Sequence, residues 1–133
     1  MARRQSIHLK EFRHENPVPA ACRIGDLLFT GAIHGGGRGS DPDQFSDDFA
    51  EQCTHMLSRV RDILTAAGGS LDDIAKVSVR LAPTASRSEL NRQWCELFPD
   101  DRSRPARQVS VGTTKPHILV QCEVVAVLGG SDS

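Results

Sequence analysis

The stretch from Pro105 to Leu128, PARQVSVGTTKPHILVQCEVVAVL, leaves this chain few choices of architecture. Val109 and Val111 alternate with Gln108 and Ser110, turn residues fill Gly112 to His117, and a β-branched run follows from Ile118 to Leu128. That pattern predicts two strands and a short connection, here an antiparallel hairpin. Strand side chains alternate, so Ile118, Val120, Cys122, Val124, Ala126 and Leu128 share one face and Leu119, Gln121, Glu123, Val125 and Val127 the other. Both faces are largely apolar, and both need cover. With the turn centred near Lys115, Arg107 falls opposite Glu123, with Gln121 as its diagonal neighbour. A basic fork, an acid and an amide then gather on one surface.

With 133 residues the chain predicts a single domain, 1–133, whose residues 1–15 form an edge strand or flexible arm and whose residues 129–133 form a flexible tail. The formal net charge of −1 is spread along the chain, and no basic footprint for nucleic acid or anionic membrane is visible. No apolar run approaches the ~18 residues of a spanning helix, and the start, MARRQSIHLK, lacks the apolar core of a secretory signal. The expectation is a soluble, cytoplasmic protein without membrane contact. Cys22, Cys53, Cys95 and Cys122 stand far apart without a CxxC pair, which predicts four reduced core thiols and no metal site.

From the N-terminus, Ser6 to Leu9 suits a short edge strand. ACRIGDLLFTG, 21 to 31, predicts a hairpin about the two-residue loop Gly25-Asp26. AIHGGGRGSDPDQ then runs through four glycines without the GK[ST] of a phosphate cradle, so a connector or a loop beside a site is expected. Ser46 is the expected cap of a helix carrying Phe49, Cys53, Met56, Leu57, Val60, Ile63, Leu64 and Ala67 on one stripe, with Gly68 ending it and His55, Arg59 and Arg61 on the solvated side. A short helical turn at 71–74 precedes a half-buried strand, 75–81. Ser86 and Glu89 form a capping-box pair opening a second helix with Leu90, Trp94, Leu97 and Phe98 inward, stopped before Pro99. The predicted order is ββ(β)αβαββ. Two helices cover one face of such a sheet, and Leu119, Val125, Val127, Val109 and Val111 are left on the other, which predicts a homo-oligomer packed through its sheets.

Four blocks, RIGDLLFTG (23–31), LTAAGGSLDDIAKVSVRL (64–81), RPAR (104–107) and EVVAV (123–127), together resemble the RidA/YjgF family of imine and enamine deaminases, also labelled endoribonuclease L-PSP. The resemblance implies an α+β, chorismate-mutase-like fold: a mixed, mostly antiparallel sheet of five to six strands with two helices on one face. It also implies a homotrimer with a small-molecule site in each cleft between subunits, no cofactor, and hydrolysis of reactive 2-imino or enamine acids such as 2-aminoacrylate to 2-oxo acids and ammonia. The family's carboxylate-gripping arginine maps onto Arg107, its ligand-facing glycine onto Gly31, and an asparagine early in the second helix onto Asn91. Three positions depart from the family pattern. Asn16-Pro17-Val18 replaces GPY, removing the aromatic hydroxyl. Gln121-Cys122-Glu123 replaces ExE, one residue closer to the arginine than usual, and TGAIH replaces SGQIP, placing His34 beside the expected cleft.

The chemistry leaves alternatives open. A planar guanidinium grips a small carboxylate through two parallel hydrogen bonds, yet Arg107 could instead form a structural ion pair with Glu123. Glu123 could orient or deprotonate water for attack on an imine carbon, or neutralise Arg107 in the empty site. Gln121 can hold a water but cannot take its proton. His34 is a substitute proton carrier or an incidental loop histidine, and Asn91 a ligand contact or a plain polar helix residue. Three function classes follow: imine hydrolysis, a non-catalytic trimer binding carboxylate metabolites, and, least favoured by near-neutral charge and few aromatics, ribonuclease activity.

Overall fold

The computed structural model describes residues 3–10, 12, 16–36 and 42–129. Residues 37–41 of the glycine loop, part of the N-terminal arm and residues 130–133 of the tail expected at 129–133 lie outside them. The doubly apolar run becomes β7 (Val120–Val127), which is interior to the sheet. To one side of it stand β3 (Leu27–Thr30), β2 (Ala21–Ile24) and β1 (Arg4–Ile7); to the other stand β5 (Ile74–Leu81) and β6 (Ala106–Val111). The two-residue β4 (Ile33–His34) also pairs with β7, giving seven strands where five to six were expected. All pairings are antiparallel except β5 with β6. The Gly25-Asp26 hairpin forms as expected, and Gly25 takes the positive φ (59°) that such a turn needs.

The hairpin expected between β6 and β7 is absent. β5 lies between them, paired parallel to β6 and antiparallel to β7. The physical reason is the β5–α2–β6 unit: a strand, a helix and a returning strand dock side by side in parallel, which is the ordinary outcome of such a crossover. Residues 112–119 therefore pass the end of β5 instead of making a tight turn. Val77 stands between Arg107 and Val124 in register, whereas Glu123 is aligned with Ser78 and Gln108. Arg107 and Glu123 consequently point to opposite faces of the sheet, which removes the cross-strand ion pair.

Helices α1 (Phe49–Ala66) and α2 (Arg87–Leu97) form as the spacings predict. The α1 cap is Asp48, whose side chain accepts from Glu51 N; Ser46 instead bonds the Glu51 carboxylate and accepts from Asp48 N. Gly68 has φ +84° just beyond the α1 C-terminus, the left-handed turn expected there. At α2, Ser86 accepts from Glu89 N, but the Glu89 carboxylate turns to Arg92 and Gln93, leaving the capping box half made.

Both helices face one side of the sheet. Ile118, Val120, Cys122, Val124, Ala126 and Leu128, the face read from the alternation, are all buried, in a core shared with Leu28, Val77, Val79, Met56, Ile63 and Leu90. The other face is uncovered in one chain. Leu27, Phe29 and Val127 remain 44%, 41% and 50% exposed there, and Leu27 pairs with Val127 and Phe29 with Val125. Val109 and Val111 do not join this patch as expected, because pairing with Val79 and Leu81 turns them to the helix side. The cysteines are free, but only Cys53 and Cys122 are buried; Cys22 is half-buried and Cys95 exposed. Among the described residues no helix is long and apolar enough to cross a membrane.

Candidate functional site

Arg107 emerges from the edge strand β6 beneath α2. Its guanidinium carbon lies 5.0 Å from the Trp94 ring centroid, and Nη2 donates to Asn91 Oδ1 at 2.7 Å. Asn91 and Trp94 are three residues apart on α2, hence neighbours on one side of the helix, and together they fix the plane and direction of the fork. Nη1 is buried and has no hydrogen-bond partner. Among the described residues no carboxylate lies within salt-bridge reach of Arg107. Burial, and after it the nearby Arg87 charge, lower its pKa from the ordinary guanidinium value. A partly desolvated cation with one buried, unsatisfied donor is poised to take an external anion, because buried donors left unpaired are costly. Sequence reasoning missed Trp94 and Arg87 as parts of this group; their spacing from Asn91, at i+3 and i−4, was the available signal.

The remaining residues lie elsewhere. Gly31 closes β3, which β7 and β5 separate from β6. Its N–H is taken by Ala20 O at 3.0 Å, and its carbonyl accepts from Thr30 Oγ1 at 2.8 Å. A carbonyl has a second lone pair, so Gly31 can still receive an N–H from a ligand. Gln121 is buried beside His34 in register, and its Oε1 accepts from both Thr114 N (2.8 Å) and Thr114 Oγ1 (3.2 Å), anchoring the β6–β7 connection. Glu123 is exposed on the uncovered face.

His34 is buried between the rings of Phe12 (centroids 5.0 Å apart) and Phe45 (4.8 Å). Its Nδ1 accepts from Gly36 N at 3.1 Å, which places the proton of a neutral ring on Nε2. Arg59, expected on the solvated side, instead donates to His34 O at 2.7 Å and lies over Phe12. Phe45 in turn meets His117. This row of rings packs the loop before α1 against the sheet.

One chain thus brings Asn91 to Arg107 and leaves Gly31, His34, Gln121 and Glu123 apart from it. A hollow of about 340 Å³ between α1 and α2, lined by Thr54, Arg61, Arg92 and Glu96 among others, holds none of these residues. Its Arg92 is already clamped by Glu89 and Glu96.

Comparison with known proteins sets this geometry in a family. Residues 8–128 match the family model described as endoribonuclease L-PSP. The 3-aminoacrylate deaminase RutC of Acinetobacter baylyi is 39% identical over 80 residues, which span 59% of this chain and 62% of that protein. Among solved structures, yeast Mmf1 superposes with a TM-score of 0.80 at 22% identity, covering 95% of this chain and 99% of the other. A Mycobacterium tuberculosis member of the YjgF/YER057c/UK114 family superposes with a TM-score of 0.74 at 20% identity, covering 94% and 99%. The chain belongs to the endoribonuclease L-PSP family, the RidA/YjgF group that its four sequence blocks resemble.

Proposed function

We propose that this chain hydrolyses small 2-imino and enamine acids to 2-oxo acids and ammonia in clefts that copies of a homotrimer build together. The observation carrying the reading is the Arg107 guanidinium: oriented by Trp94 and Asn91, without a carboxylate in salt-bridge reach among the described residues, and holding one buried unpartnered nitrogen. That is an anchor for a small carboxylate, gripped bidentately. The name of the Acinetobacter baylyi relative, a deaminase of an aminoacrylate, lends support to an enamine acid as substrate. The trimer is favoured by the apolar uncovered face about Leu27, Phe29 and Val127, which one chain leaves in water.

In this reading a second copy brings its uncovered face, with Glu123 and the end of β3 at Gly31, against the β6 edge of the first. Arg107 holds the carboxylate, and the Gly31 carbonyl accepts an N–H of the substrate. Water held by Glu123 adds to the imine carbon: its oxygen bonds to that carbon, the C=N π pair moves to nitrogen, and the carboxylate relays the water proton. Collapse of the resulting carbinolamine breaks the C–N bond, releases ammonia and leaves the 2-oxo acid. An enamine enters the same route after protonation at its β carbon.

A non-catalytic carboxylate-binding trimer is the second reading, favoured by Gln121 standing where the family has an acid and by its Oε1 being taken by Thr114. The two readings part in one assay. With 2-aminoacrylate generated in situ, the enzyme accelerates 2-oxo acid formation and Arg107→Ala abolishes the acceleration; absence of acceleration with every imine tried selects the binder.

A further inference from the structure

Beside Arg107 the cleft floor is one side of β6. Arg107, Val109 and Val111 share that side by the strand's period of two. Val109 is half-buried, and Val111, at 64% exposed, is the most open large apolar residue described. The direction of α2 over this strip follows from its C-terminal end, where Arg104, two residues before β6, donates to Phe98 O at 2.8 Å. The helix therefore runs back along β6, and its first turn lies toward the Val111 end.

Arg87 opens that turn. It precedes Asn91 by four residues, on the same side of the helix and about 6 Å along its axis. Its charge is felt at Arg107, where it adds to burial in lowering the pKa. Among the described residues no carboxylate lies within 4.0 Å of either guanidinium. Arg92 on the same helix shows the contrast, held at 2.6 Å by Glu89 on one side and Glu96 on the other. Two cations thus border an aliphatic strip, and among the described residues neither has a carboxylate in salt-bridge reach.

We infer that Arg87 determines specificity, selecting 2-imino acids that carry a second acid group at the end of a short aliphatic chain laid along Val109 and Val111. This rests on the reading of Arg107 as the anchor of the first carboxylate. One diacid satisfies both guanidiniums at once, whereas a monoacid leaves Arg87 to water.

Trp94 is the single tryptophan of the chain and touches Arg107, so its fluorescence reports binding without turnover. The experiment titrates 2-oxobutanoate and 2-oxoglutarate, stable product-like probes, into the full-length protein and into Arg87→Gln, whose exposed position spares the fold. The wild type is expected to prefer the diacid by about five- to tenfold, the worth of one charge-assisted contact at a partly exposed site, and Arg87→Gln to bring the ratio near one. Equal affinities in the wild type, a preference that survives in Arg87→Gln, or no response to either acid would each overturn the inference. Diacid preference without imine turnover would remove the deaminase reading and leave this one standing. Turnover without the preference would do the reverse.

Discussion

Gln52 offers a perturbation whose size follows from the structure. It is fully buried on α1. Its Nε2 donates to Ser46 O (2.7 Å) and His117 O (2.9 Å), and its Oε1 accepts from Leu119 N (2.9 Å). One side chain thus ties the loop before α1 and the β6–β7 connection to the core. Gln52→Leu keeps most of the volume and removes all three bonds, leaving one part-buried N–H and two part-buried carbonyls without partners. A lost hydrogen bond costs about 1 kcal/mol net and an orphaned buried donor about 1 to 3, so the sum is about 3 to 5 kcal/mol after a small gain from the apolar substitute. Against the ~5 to 15 kcal/mol that holds a domain folded, this is a large fraction. With a urea slope near ~2 kcal/mol/M, the unfolding midpoint falls by about 2 M, compared at equal protein concentration because assembly shifts it too. Coincident midpoints would refute the account of Gln52 as the bolt of this region.

Gly35→Ala places a methyl group against the Gln52 carbonyl and forces β4 away from α1, and should cost about 3 kcal/mol or more in the same denaturation experiment. Val127→Asp puts a charge in the uncovered apolar face; light scattering should find monomers, and an unchanged mass contradicts the sheet-face interface. Hydrogen bonds from Arg92 and then Gln93 lower the Glu89 carboxyl pKa from 4.5 to about 2. A carboxyl depressed by folding stabilises above its unfolded pKa and loses that contribution as pH falls through the folded value. The melting-temperature gap between wild type and Glu89→Gln should therefore be complete above pH 4.5 and close on approach to pH 2. Burial pushes the Cys53 thiol up to about 12, and Cys122 is likewise raised by burial, so neither is a thiolate at neutral pH. A disulfide reagent should modify exposed Cys95 first and reach Cys53 and Cys122 only on unfolding.

Local structure was legible because periodicity reports which side of an element is buried. The two faces of β7, the α1 stripe and the Gly25 hairpin follow from spacing and turn chemistry alone. Pairing was not legible in the same way, since alternation in β6 and β7 says nothing about which strand lies between them. The short 112–119 segment resembled a turn, while the β5–α2–β6 crossover, equally visible in the sequence, carried the deciding constraint. The same error moved Val109 and Val111 to the wrong face and set Glu123 beside Arg107. Arg59 shows another limit. Its position off the apolar stripe suggested solvent, but β4 gave it the His34 carbonyl and the N-terminal segment the Phe12 ring. Asn91 entered as a site residue through family resemblance, and its contact with Arg107 comes from the structure.

The central claim, that Arg107 of one copy works with Glu123 of another, is tested most directly by mixing inactive chains. Arg107→Ala and Glu123→Gln, each unable to turn over 2-aminoacrylate alone, are unfolded together, refolded at equal ratio and assayed for 2-oxo acid. Random assembly restores both residues at about a quarter of the clefts, so about a quarter of the wild-type rate is predicted. A mixture as inactive as its parents, or a Glu123→Gln protein that is fully active alone, would contradict it.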